Sequence, residues 1–249
     1  MQILGLLGAA AFSLASAVVG IRLLRLAART RQAPEFAMGL AFVVSGAIGF
    51  PLLTAAGFLL AAGAPELARF ATGLGLFSLF AGYVGLSIGC WRIYRPTARW
   101  PRLPIAAGTL LLLLAAIAVT FVTDDRRPGG PRDVAIWSGI GMGILAFGWN
   151  AVESFSLHRQ LRRRLAVGLA EPEIVNRILM WGIGSSAACA MTFYSVAARL
   201  LVGQIPGDGH RLVSSGFGLI AAVAIGLAFF PPAAYRRRFA APLARDGSL

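Results

Sequence analysis

The apolar residues of this chain come in long blocks, separated by short polar stretches that carry most of the arginines, a pattern that no ordinary globular core produces. A helix needs roughly 20 apolar residues to cross the hydrocarbon layer of a bilayer. Seven blocks reach that length, at about 3–24, 36–62, 68–90, 103–123, 134–157, 178–203 and 211–232. They predict an all-α polytopic membrane protein of seven transmembrane helices. No segment between them is long enough to fold separately, so residues 1–249 are read as one domain. Composition agrees: 57% of residues are hydrophobic and 13% charged, about half the charged share of a typical soluble domain.

Charge sets the expected orientation. All 23 basic residues are arginine, and 17 of them fall in the first, third and fifth loops and the tail. The first loop has Arg22, Arg25, Arg29 and Arg31; the third, Arg92, Arg95, Arg99 and Arg102; the fifth, Arg159, Arg162, Arg163, Arg164 and Arg177; the tail, Arg236, Arg237, Arg238 and Arg245. The other side holds Arg69, Arg126, Arg127, Arg132 and Arg211, three of them beside Asp124, Asp125 and Asp133. The positive-inside rule then places the N-terminus outside and the C-terminus in the cytoplasm. Ala15-Ser16-Ala17 has the form of a signal-peptide cleavage site, but no basic residue precedes the apolar run, and an uncleaved helix is expected. The net charge of +13 is read as a contact with anionic lipid headgroups, worth on the order of 1 kcal/mol per arginine, and not as nucleic-acid binding. Arginine without lysine fits GC-rich codon usage, with a bacterial inner membrane as the default location. It also removes any Schiff-base chemistry with an aldehyde such as retinal.

The chain carries signs of an internal repeat. Pro34-Glu35 and Pro172-Glu173 open the second and sixth blocks, and Tyr94 and Tyr235 each stand 29 positions after a proline, Pro65 and Pro206. Parallel repeats over 1–102 and 134–240, joined by a linker helix at 103–123, are one reading. Good N-terminal helix chemistry and ordinary interfacial anchors account for the same residues equally well. A 3+1+3 layout resembles that of the microbial rhodopsins, the SWEET sugar carriers and the PQ-loop proteins. The resemblance is one of layout and implies a fold but no activity, because the retinal lysine and the proline-glutamine dipeptide are absent.

Helices associate in lipid through small residues. Gly75, Ser78, Gly82, Gly85 and Gly89 line one face of the third helix, and the second has Gly39, Gly46, Gly49 and Gly57 with a kink expected at Pro51. The fifth has Gly139, Gly143, Ala146, Asn150 and Glu153, which aims the only glutamate within a predicted span into the bundle. Such groups mark ligand or proton paths, and Trp149 and Asn150 would complete the site. Pairing of Glu153 with Arg22, Arg92 or Arg177 is the structural alternative. On the sixth helix, Ser185, Cys189, Thr192 and Arg199 form a stripe with Tyr194 nearby. Arg199 is read as an outer anion contact or a rim salt bridge with Glu66, Asp133 or Asp208.

Catalysis is not expected. His158 and His210, the two histidines, lie at opposite edges, too far apart to share a metal or a haem. Gly184-Ser185-Ser186 has no histidine at its depth to act as a base. Cys90 and Cys189 lie at different depths, which disfavours a disulfide. No cofactor is expected either. The leading expectation is a receptor-like or sensor-like protein that binds a small, largely apolar ligand at Glu153, Asn150, Trp149, Tyr194 and Arg199 and couples to a partner at its basic face. A small-molecule transporter and a non-catalytic subunit of a membrane complex are the alternatives. The orientation has a direct test: a green fluorescent protein fused to the C-terminus will fluoresce in cells, whereas an alkaline phosphatase fused there will be inactive. The reverse result overturns the orientation.

Overall fold

Each of the seven apolar blocks becomes one long helix in the computed structural model, which describes residues 2–121, 130–202 and 208–240. Asp124, Asp125, Arg126, Arg127, Pro206 and Arg245 lie outside these residues, as do the side chains of Arg132, Arg199, Asp208, His210, Arg211, Arg236 and Arg238. The helices are α1 (Gln2–Thr30), α2 (Ala33–Ala61), α3 (Pro65–Tyr94), α4 (Arg102–Phe121), α5 (Pro131–Ala166), α6 (Pro172–Val202) and α7 (Asp208–Phe229), followed by a short α8 (Ala233–Ala240). All seven long helices are of a length and composition that can cross a membrane, and the described residues contain no strand.

Local chemistry sets the helix ends. Pro34, Pro65, Pro131 and Pro172 stand in first turns, where a missing N–H costs nothing, with Glu35, Glu66, Asp133 and Glu173 close by. α5 outruns its apolar block and carries Arg159, Arg162, Arg163 and Arg164 in its last turns. Once a helix is formed, each added residue gains a backbone bond, and arginine is a good helix former. It stops at Gly168, whose φ of +73° suits the left-handed C-terminal position and lets Leu169 N–H donate to the Arg164 carbonyl at 2.8 Å.

α2 widens into a π-helical stretch over Phe42–Gly49, directly before Pro51. Proline has no N–H to offer the carbonyl four residues back, and its ring crowds that carbonyl. The wider winding is one way for a membrane helix to absorb this.

Packing follows a ring. α1 contacts α2 and α7, α2 contacts α3, α3 contacts α5, α5 contacts α6, and α6 contacts α7. α4 packs on α3 and α5 from outside, where Leu112, Ala115 and Ala116 meet Phe80 and Ala135. α1–α3 and α5–α7 are thus two halves of the ring. The two 29-residue spacings fall on different structures: Tyr94 ends an unbroken α3, whereas Tyr235 lies in α8, beyond the break at Pro231-Pro232.

The glycine faces are helix–helix seams. A Cβ placed on Gly39 would stand 2.9 Å from the Leu24 nitrogen and 3.0 Å from the Gly20 carbonyl oxygen of α1. One on Gly49 would stand 2.9 Å from the Leu79 nitrogen and 3.0 Å from the Gly75 carbonyl oxygen of α3. The α3 stripe faces α2 in this way, through Gly75, Gly82, Gly85 and Gly89. On α5, Gly139 and Gly143 instead receive the rings of Phe80 and Tyr83. Gly57 has open space around it.

These seams predict a contrast. Gly49→Ala forces two backbones apart and should cost about 1–3 kcal/mol, whereas Gly57→Ala should be neutral or stabilising by about 0.5–1 kcal/mol through helix propensity. Unfolding midpoints of the two variants in lipid nanodiscs test this, and equal midpoints would contradict it.

Candidate functional site

The six ring helices line a partly open pocket of about 340 Å³ in the half of the bundle away from the arginine-rich loops. Its walls are apolar and largely aromatic: Phe12 of α1, Phe50 of α2, Phe80 of α3, Phe147 of α5, Met191 of α6 and Phe217 of α7. Room between them comes from small residues, among them Gly8, Gly139, Ala188 and Gly218. A second cavity of about 40 Å³ adjoins it on the side of the arginine-rich end and shares Phe12, Ser45, Tyr83, Phe147, Ala188 and Ala221 with it. Among the described residues, α4 contributes to neither cavity, and neither is lined by a charged side chain.

The deep cavity has a polar floor. Asn150, fully buried at 0% exposure, donates from Nδ2 to Ser185 Oγ at 2.7 Å and accepts from Trp181 Nε1 at 2.9 Å. These bonds tie α5 to α6 at a level where no water is expected to compete. Trp181 also meets Phe42 and Phe229 edge-to-face, with centroids at 5.6 and 5.3 Å. Arg22 of α1 donates to the Phe229 carbonyl at 2.5 Å and lies over the Phe230 ring, a cation at the C-terminus of α7. The floor is thus continuous with the arginine-rich end.

Hydroxyls around the cavities differ in how they are satisfied. Ser45, Thr192 and Ser195 bond back to the carbonyls of Ala41, Ala188 and Met191, as helical hydroxyls in lipid generally do. Ser16 Oγ and Ser214 Oγ are buried with no hydrogen-bond partner. Ser16 lines the deep cavity and Ser214 the larger pocket.

Glu153 sits apart from this interior. Its carboxylate accepts from Arg95 Nε at 2.9 Å and from Trp149 Nε1 at 3.3 Å, and Trp149 stacks on Trp100 at 5.5 Å. The partner is therefore Arg95, not Arg22, Arg92 or Arg177. α3 ends at Tyr94, and the turn that follows carries Arg95 toward α5. The hydrogen bond Arg95 donates to Glu153, and then the carboxylate's charge, raise the Arg95 pKa above its ordinary value, so the guanidinium stays charged. The buried stripe of α5 runs from Ala146 and Asn150 to Ser154, at 1%, 0% and 0% exposure, and leaves Glu153 on its edge. Ser154 shares a hydrogen bond with Tyr94 at 2.8 Å.

Of the five residues singled out in the sequence, the structure joins Trp149 to Glu153 and places Asn150 in the cavity floor. Tyr194 stacks on Phe217 at 6.4 Å, toward the opposite end. The Arg199 side chain lies outside the described residues. Ser16, Trp181 and Phe147 were not singled out. The available signal was polarity at mid-span, which Ser16 shares with Asn150 and Ser185. Among the described residues, no group of histidine, cysteine and carboxylate side chains is arranged to hold a metal.

No protein-family profile matches this chain, and no curated protein or solved structure matches it significantly. The layout resemblance to other seven-helix proteins rests on helix number and order alone.

The geometry reverses the weights that composition assigns to Asn150 and Glu153. Asn150→Ala leaves Trp181 Nε1 without its acceptor and should cost about 1–3 kcal/mol. Glu153→Gln keeps a hydrogen-bond acceptor beside a half-exposed arginine and should cost less. Unfolding of both variants in nanodiscs tests the order, and a larger loss for Glu153→Gln would refute it.

Proposed function

We propose that this is a receptor-like or sensor-like seven-helix membrane protein, in which a small, largely apolar ligand occupies the interior pocket. The observation that supports this best is a pocket walled by all six ring helices, of the size and apolar character of ligand sites generally. A ligand there touches both halves of the ring, so any arrangement it fits better gains population. Asn150, Trp181, Phe229 and Arg22 form a run of contacts from the pocket floor to the arginine-rich end. With the C-terminus inside, that end would meet anionic lipid and a cytoplasmic or membrane partner. This is a binding function without catalysis.

A small-molecule carrier is the second reading. The π-helical stretch of α2 favours it, because Ser45 within it lines both cavities and the stretch has two ways to wind. The poverty of polar groups in the walls counts against a polar substrate. A non-catalytic subunit of a larger complex is the reading left if the pocket takes nothing.

A density map of the purified protein in native-like lipid tests the proposal. Non-protein density between Phe80, Phe147, Met191 and Phe217 is expected, and Ala188→Phe should remove it. A collapsed or dry interior in the wild-type protein would refute ligand binding.

A further inference from the structure

We propose that the ligand is an uncharged, extended amphiphile whose hydroxyl or carbonyl head bonds to Ser16 at the deep end, its apolar body filling the larger pocket. This rests on the ligand-binding reading above and adds the chemistry of what is bound.

Three observations converge. The first is the orphaned hydroxyl. Ser16 is 1% exposed, its Oγ has no partner, and it lines the deep cavity. Asn150, which lines the same cavity, is engaged by Ser185 and Trp181. Thr192 and Ser195 relieve the same burden by bonding back along their own helix. A buried hydroxyl left unpaired is costly, and a ligand acceptor at that point removes the cost.

The second is charge. Among the described residues, no arginine, histidine or carboxylate lines either cavity, the deep one included. An ionised ligand would be buried without a counter-charge, which a low-dielectric interior strongly penalises.

The third is shape. A Cβ on Gly8 would stand 3.1 Å from Ser215 Cβ, which places the outer serines at the level of Gly8. Ser16 lies eight residues further along α1, about 12 Å deeper at 1.5 Å per residue. The larger pocket holds about 340 Å³, room for on the order of ten non-hydrogen atoms on the ~30 Å³ scale of a liquid water. That depth and that volume together fit one extended chain better than a fused ring system. Ser214, the other buried hydroxyl without a partner among the described residues, offers a second bonding point at the outer level.

The test uses the full chain in lipid nanodiscs, with 1-decanol, n-decane and decanoate as probes at mildly alkaline pH. Saturable shifts of the unfolding midpoint are read against probe concentration. Decanol should bind saturably and decanoate should not. Ser16→Ala should weaken decanol by about 5- to 10-fold, the loss of one hydrogen bond, and leave decane unchanged. Gly218→Leu should weaken both, because the added side chain enters open space in the pocket wall. Thr192→Leu replaces it if that variant fails to fold.

Two outcomes overturn this inference while leaving the ligand-binding reading intact. One is decanol binding that is blocked by Gly218→Leu but indifferent to Ser16→Ala, as a lone water on Ser16 would give. The other is decanoate binding as tightly as decanol. Absence of saturable binding by all three probes, unaffected by Gly218→Leu, overturns the ligand-binding reading itself.

Discussion

Close approach of helix backbones at glycine is the contact on which the rest of this bundle depends. Lipid is as apolar as leucine, so helices gain little by hiding leucine from it and must instead gain dispersion contacts with one another. At Gly20 and Gly39, and again at Gly49 and Gly75, the backbones of α1, α2 and α3 are so near that a methyl group would meet main-chain atoms. These seams tie the first half of the ring together along α2. They also send the large side chains of α3, Phe80 and Tyr83, toward the glycines of α5. One class of contact thus sets both the helix order and where aromatic rings are available to wall a pocket.

The interior is uneven along its length for the same reason. Near the arginine-rich end, Val19, Leu23, Met38, Leu86, Trp181 and Ile225 fill the ring as a packed core. Toward the opposite end, Gly218 supplies no side chain to fill the open space beside it, and a pocket remains. Asn150 marks the boundary. Its amide is satisfied on both sides by α6, so it works as a rigid floor and not as a free hydrogen-bonding group. α4 stands outside, shielding the seam of α3 and α5 without touching the interior. A bundle built this way offers a ligand contacts with six helices and, among the described residues, no charge.

Glu153 shows how spacing along a helix narrows a residue's place without naming its partner. Spacing places it on the small-residue face of α5, but a helical face is about 100° wide and its edges are ambiguous. The residue fully buried at that level is Ser154, bonded to Tyr94, while Glu153 turns toward Arg95 and Trp149 at the helix rim. The carboxylate is 12% exposed and paired with the half-exposed Arg95. One of the two unsatisfied buried hydroxyls among the described residues belongs to Ser16, a residue too ordinary to stand out in a chain rich in small residues.

The sequence by itself determined the helical class, the number of long helices, the positions of most of their ends, and the side of the bundle on which the arginines gather. These follow from local rules: a span needs a set length of apolar residues, proline suits a first turn, and charge avoids the bilayer core. It also marked Asn150 as an interior residue. Tertiary structure alone decided that α4 lies outside the ring, that Glu153 pairs with Arg95, that α3 turns its glycines to α2, and that Ser16 is left without a partner beside a cavity. Each of these depends on which helix stands next to which. Small residues permit close approach to any neighbour, and a hydrophobic pattern in lipid does not name one.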